Sequence, residues 1–526
     1  MTAGRWMAGV LLALATPGGE LHAGDPLKVT LDPETRYQTM DGFGASDAWR
    51  CQFVGKNWPL EKRERIARLL FSKEVDGDGN PQGIGLSIWR FYLSAGSAEQ
   101  GRDSGIRNVW RRGECFLDGD GRYDWSKLEG QQWFLRQARK HGVERFLVFP
   151  NAPPVSLSKN GKAFATKGDL HLNLKPGAMN AYADYLAEVL EHFEKEGMPF
   201  DDVSPVNEPQ WNWDEGDQEG TPAFNAEIAE LVKALSAAIE RRGLKTGIVV
   251  GEAGTIGHAA LRMAELGQPS DGRDDLARAF FSRDSPLYLG KLPRVEPILS
   301  AHSYHSVWPV DQQVGNRRRV ADAMAAVDPA LGYWMSEYCI LQENGEIGGG
   351  GRRDLGMDTA LYVARIIHHD LAITRARSWQ WWTALSQVDY KDGLIYLDDG
   401  SDGTTGRMGP QVESLQRDGA VRESKLLWTL GNYSRFVRPG MVRVKCEIEP
   451  GQSPVDGVLA TAYRAADGGR VVVLVNLSRE EQRCDLGGDG EARTYTTSAD
   501  ANLKAGKAAV AAVPLPARAV VTVCLE

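Results

Sequence analysis

Clustered cysteines are missing from this chain. Its six cysteines (Cys51, Cys115, Cys339, Cys446, Cys484 and Cys524) are scattered over 526 residues, with no CxxC spacing. That excludes a dense disulfide framework and a ribbon-type zinc site. Such isolated cysteines also behave as small buried hydrophobes. No HExxH or other compact ligand set occurs, so neither a metal nor another cofactor is expected. A basic surplus is missing too. The 61 Lys and Arg face 70 Asp and Glu, a net charge of −9. This argues against a nucleic-acid or anionic-membrane partner and favours a neutral ligand. Beyond residues 1–23 no apolar run is long enough to cross a bilayer. Those first residues read as a signal peptide, with Arg5 before a short apolar core from Met7 to Ala15 and a cleavage point after Ala23. A secreted or periplasmic protein, with no membrane contact after cleavage, is the expectation.

What the chain does have is alternation. Extended apolar runs fall at 40–46, 84–93, 145–150, 203–208, 246–252, 297–305, 333–338 and 377–382. Between and after them, apolar residues recur at helical spacing over 60–71, 123–141, 178–196, 224–241, 274–281, 320–327, 358–374 and 424–437. Eight strands alternating with eight helices predict an α/β fold, a (β/α)8 TIM barrel over 39–438. After Pro439 the texture changes to short strands separated by turns such as Ala466-Asp-Gly-Gly469. Residues 439–526 therefore read as an antiparallel β-sandwich, with a detached arm at 24–38 joining it. No internal repeat is visible.

Polar residues collect at the C-terminal ends of the barrel strands, the face on which such barrels build their sites. The run Val203-Ser-Pro-Val-Asn-Glu-Pro209 ends in Glu208, where the following proline removes a backbone donor and stops the strand. Tyr333-Trp-Met-Ser-Glu-Tyr338 presents Glu337 in the same way. Two carboxylates facing each other across a barrel mouth are what cleavage of a glycosidic bond requires. Glu208 is assigned as acid/base and Glu337 as nucleophile, with Asn207 on the sugar 2-OH. Glu252, which ends another strand, is a rival that residue chemistry alone does not remove. Arg90 interrupts an apolar strand and so needs carboxylates or carbonyls as partners. Asp47, Trp49, Asn151, His302 and Tyr304 follow strand ends and are candidate substrate contacts. Trp379 and Trp381 are candidate stacking surfaces for the apolar faces of a sugar. Trp211, Trp213, Trp308, Trp382 and His305 are further aromatic candidates. Alternation points Trp379 and Trp381 one way and Trp382 the other. The substrate implied is a neutral polysaccharide or oligosaccharide.

Six segments together resemble glycoside hydrolase family 30: Asp41-Gly-Phe-Gly-Ala-Ser46, Trp89-Arg-Phe-Tyr-Leu-Ser94, Asn151-Ala-Pro-Pro154, Asn207-Glu-Pro209, Ser336-Glu-Tyr338 and Trp379-Gln-Trp-Trp382. The resemblance runs over roughly residues 27–526. It implies a retaining mechanism, with the acid/base after barrel strand four and the nucleophile after strand seven. Those places correspond to Glu208 and Glu337, and leave Glu252 a supporting role. The opening Gly42-Phe-Gly-Ala-Ser-Asp-Ala-Trp49 and the loop from Pro153 to Gly161 look most like the endo-β-1,6-galactanase branch. Asn151-Ala-Pro-Pro departs from the Asn-Ser-Pro-Pro of that pattern. A β-1,6-glucanase, a glucuronoxylanase, an exo-acting β-glycosidase and a non-catalytic carbohydrate-binding protein remain alternatives.

Overall fold

The computed structural model describes residues 25–266, 270–401 and 406–525. The leader expected at 1–23 lies outside them. Eight parallel strands close into a barrel: Gly42–Ser46, Ile88–Leu93, Arg145–Pro150, Asp202–Val203, Gly247–Ala253, Val295–His302, Gly332–Glu337 and Ser378–Trp381. The first pairs with the eighth, Gly42 opposite Ser378, so no strand edge is left open. The first strand is glycine-rich because its neighbour lies close: a Cβ on Gly44 would sit 2.9 Å from the Ile88 carbonyl oxygen. Leu147, Val249, Ile298 and Trp334 form an apolar cluster of their own, one residue each from four barrel strands. Arg90, Glu252, Ser300 and Ser336 are also fully buried and form a polar group. The barrel is a packed core, polar where the chemistry-bearing residues meet.

The helix expected at 60–71 forms as Leu60–Phe71. The one expected at 123–141 starts later, at Glu129, because Leu128 takes φ 55° and ends the preceding turn. The one expected at 320–327 begins earlier, at Val310, directly after Pro309. Between the last barrel strand and the last helix, Leu385–Ser386, Ile395–Asp398 and Ala420–Glu423 form a small sheet that the sequence reading did not foresee. Its strands are two to four residues long, too short to show a period.

The C-terminal strands build a β-sandwich around a nine-stranded sheet. Leu27–Thr39 lies inside that sheet, antiparallel to Val442–Glu449 and parallel to Gln482–Asp485. Alternation gives the strands two apolar faces. Val472, Leu474, Val521 and Val523 pack with Val29 and Val444 in the sandwich's own core. Val471, Val473, Val475 and Val520 belong to the core of the barrel instead. Asn432, on the last helix, donates to Thr522 Oγ1 at 3.0 Å and to the Tyr495 carbonyl at 2.9 Å. The two parts therefore share one apolar layer stapled by hydrogen bonds. All six cysteines are free thiols. Among the described residues no helix is long and apolar enough to cross a membrane.

Candidate active site

Glu208 stands just beyond the fourth barrel strand with φ 46°, a left-handed backbone that non-glycine residues rarely adopt. This departs from the extended form that a following proline favours. Three hydrogen bonds hold it. Its amide donates to the Glu252 carbonyl at 2.8 Å, and its own carbonyl accepts from Trp213 Nε1 at 2.8 Å and from the Trp211 amide at 3.1 Å. Glu337 ends the seventh strand. Tyr304 Oη donates to its Oε1 at 2.9 Å, and Arg90 Nη1 donates to its Oε2. Carboxylate oxygens of Glu208 and Glu337 lie within 4.8 Å of each other.

Behind this pair runs a buried network. His302 joins Glu208 Oε1 through Nδ1 at 2.8 Å and Glu252 Oε2 through Nε2 at 3.0 Å. Arg90 Nη2 donates to Glu252 at 2.7 Å and to Asn207 Oδ1 at 3.0 Å. The Arg90 guanidinium also lies 3.6 Å over the ring of Phe149. Burial pushes the Glu208 carboxyl up, and nearby Glu337 pushes it further, against the pull of His302. Burial opposes the charge on His302, but Glu337, Glu208 and Glu252 outweigh it and lift the imidazole to about 10. Glu252 behaves oppositely: burial is outweighed by Arg90 and His302, which hold its carboxyl at about 2. Two cations thus face three carboxyls. The cluster is neutral when one carboxyl carries a proton, and Glu208 is the one whose surroundings favour it. Glu208, His302 and Glu337 are also close enough to grip a metal ion. Both His302 nitrogens are engaged here, Nδ1 with Glu208 and Nε2 with Glu252.

The cavity over the pair has a volume of about 260 Å3. Trp49, Asn151, Asn207 and Tyr304 line it with the two glutamates, as do Trp211, Trp213, His305 and Trp382. Asn151 is buried with both side-chain amide atoms unpartnered, ready to meet hydroxyls. Trp382 packs edge-on against Trp49, with ring centroids 5.1 Å apart.

Five expected substrate contacts are placed elsewhere. Trp379 and Trp381 do not line the cavity. Register places them on the outer side of the barrel wall, where Trp379 Nε1 donates to Asp370 on a surrounding helix at 3.0 Å and Trp381 Nε1 donates to the Asp392 carbonyl at 2.9 Å. Ser378 and Gln380, bonded to each other, alternate with them. The opposed directions of Trp381 and Trp382 were legible; which one faces the cavity was not. Asp47 is buried away from the cavity and accepts the Tyr92 amide at 2.7 Å, with burial lifting its carboxyl to about 7. Arg90 and His302 have no exposed surface and meet the carboxylates from behind. Conversely, Arg111, Gln218, Cys339 and Leu341 line the cavity without having been foreseen. Arg111 ends a three-residue 3-10 turn, Val109–Arg111, and Gln218 sits in an irregular loop, so no period marks a direction for either. The rings should separate by experiment. Trp382→Ala is expected to raise KM as well as to lower Tm, whereas Trp379→Ala should cost about 3–5 kcal/mol of stability and leave KM nearly unchanged. Thermal melts and steady-state kinetics on both variants check this.

Residues 26–396 match the model of O-glycosyl hydrolase family 30. The chain belongs to that family. Residues 440–523 match the family's β-sandwich domain, so the match covers both parts of the chain. An endo-β-1,6-galactanase of Hypocrea rufa is 25% identical over 245 residues, which is 43% of this chain and 49% of that protein. The chain therefore spans about half the length of that relative. A putative glucosylceramidase 1 of Caenorhabditis elegans is 22% identical over 486 residues, 88% of this chain and 77% of that protein. Among solved structures, a conserved exported protein from Bacteroides fragilis superposes with TM-score 0.87 at 36% identity, covering 95% of this chain and 100% of that one.

Proposed function

We propose that this glycosidase is a retaining endo-β-1,6-galactanase acting on the β-1,6-galactan side chains of arabinogalactan. The observation that carries the retaining reading is the approach of Glu208 and Glu337 to within 4.8 Å. Carboxyls about 5 Å apart leave no room for a water on the far face of the sugar, so the second carboxylate must attack directly. Glu337, oriented by Tyr304 and Arg90, bonds to the anomeric carbon. Glu208 gives its proton to the departing glycosidic oxygen. Esterified Glu337 no longer carries a charge, so one of the influences that raise Glu208 disappears. Glu208 then releases protons more readily and acts as base, taking one from the water that breaks the ester. Asn207, fixed by Arg90, offers its amide to the sugar 2-OH.

The substrate reading rests on the Gly42-to-Trp49 opening and the Pro153-to-Gly161 loop. It is supported by the name of the Hypocrea relative. Export is supported by the leader-like start of the chain and by the description of the Bacteroides protein. The test is a panel of β-1,6-galactan, β-1,3-galactan, β-1,6-glucan and glucuronoxylan with product sizes resolved. The expected result is a ladder of β-1,6-linked galactooligosaccharides. Release of a single product size from the chain end would overturn endo action. Preferential hydrolysis of another polymer would overturn the substrate.

A further inference from the structure

Glu252 is a third fully buried carboxylate in a site whose chemistry uses two. Three features aim it there. Gly251 before it has φ +134°, and a Cβ at that position would stand 2.3 Å from the Ser300 carbonyl oxygen, so only glycine fits. The register with the next strand slips between Val250 and Ala253, a bulge that turns the Glu252 side chain into the barrel. Glu252 itself holds φ 43°, and its carbonyl receives the amide of Glu208, which is also left-handed. Strained backbone persists only where its surroundings hold it.

Both side-chain oxygens are engaged, and neither is exposed. Oε2 receives Arg90 Nη2 at 2.7 Å, His302 Nε2 at 3.0 Å and Ser336 Oγ at 3.1 Å, while Oε1 receives Ser204 Oγ at 3.1 Å. No oxygen is left over for substrate. Each charged partner reaches one of the two site carboxylates with its other nitrogen: His302 holds Glu208, and Arg90 holds Glu337. We propose that Glu252 is the positioning residue of this site, one buried anion that ties the Glu208 and Glu337 side chains together through His302 and Arg90. The inference rests on the catalytic reading of those two glutamates.

The titratable and charged groups facing Glu252 are Arg90, Glu208, His302, Tyr304, Tyr333 and Glu337, contributed by the second, fourth, sixth and seventh strands and the loops after them. Taking an anion out of this group makes every proton in it easier to lose. The sign is the same whether His302 or Glu208 releases first.

The test is Glu252→Gln, assayed on the intact chain as kcat/KM against pH. The basic limb is expected to move down by about one pH unit or more, and kcat to fall about 100-fold at the wild-type optimum, because a misplaced catalytic group loses that much. A folded variant whose basic limb stays put overturns the proposal, whatever its rate, since a merely structural role lowers activity evenly across pH. Should Glu252→Gln fail to fold, Glu252→Asp keeps the charge but cannot reach His302 and Arg90 at once. It is expected to keep the basic limb and lose at least about tenfold in kcat. Wild-type turnover in Glu252→Asp overturns the proposal. Neither result bears on Glu337, whose own variant decides the underlying catalytic reading.

Discussion

Glu337→Gln is expected to lose turnover by a factor on the order of 10^4 or more, the scale on which removing a nucleophile acts. The fold should survive. Arg90 keeps Glu252 and Asn207 as partners, and the new amide still accepts the Tyr304 hydroxyl. Thermal melting within a few degrees of the wild type, together with collapsed kcat, is the expected pair of results. A 2-fluoro glycoside with a good leaving group should form a stable ester at the same residue, located by mass spectrometry of peptides. Activity within tenfold of the wild type, or label found on Glu252, would remove Glu337 from its role.

Glu208→Ala separates the two steps of the reaction. A sugar leaving group departs as a poorly stabilised alkoxide and needs the proton, so hydrolysis of a galactan should fall by about 10^2–10^4-fold. An aryl glycoside with an acidic phenol needs no proton, and formation of its glycosyl ester should be nearly unchanged. The basic limb of the pH profile should vanish for such substrates, because the group that titrates there is gone. Equal losses for good and poor leaving groups would show that Glu208 is not the acid. The burial that raises its carboxyl would then serve only the local hydrogen bonds to His302 and Trp211.

Both experiments target residues that are legible in the sequence alone. Asn207-Glu208-Pro209 could be recognised because it closes an apolar run, although the strand itself stops at Val203 and the left-handed turn at Glu208, not the proline, presents the carboxyl. Glu337 stood out as a carboxylate at the end of an apolar run. The neighbours that surround these glutamates were partly hidden. Arg90 was conspicuous, a charge inside an apolar strand, but its division between Glu252 and Glu337 required strands far apart in the chain. Glu252 carried no mark distinguishing a third carboxylate from a second, since nothing local records that its oxygens are fully occupied. Trp379, Trp381 and Trp382 show the same limit from another side. Alternation separated them into two directions, yet the inward direction depends on the register Gly42 to Ser378 across the closing seam.

The sequence by itself determined the alternation of strands and helices, the change to a β-sandwich after residue 439, and the two apolar runs that lead to Glu208 and Glu337. These follow from periodicity and from backbone chemistry, which act over a few residues. Only the tertiary structure decided which aromatic rings wall the cavity, that Arg111 reaches it from a short 3-10 turn, and that Glu252 lies at the centre of the charge network. Those outcomes depend on barrel closure and on one bulge, which bring distant segments within hydrogen-bonding distance and so set the field each side chain feels.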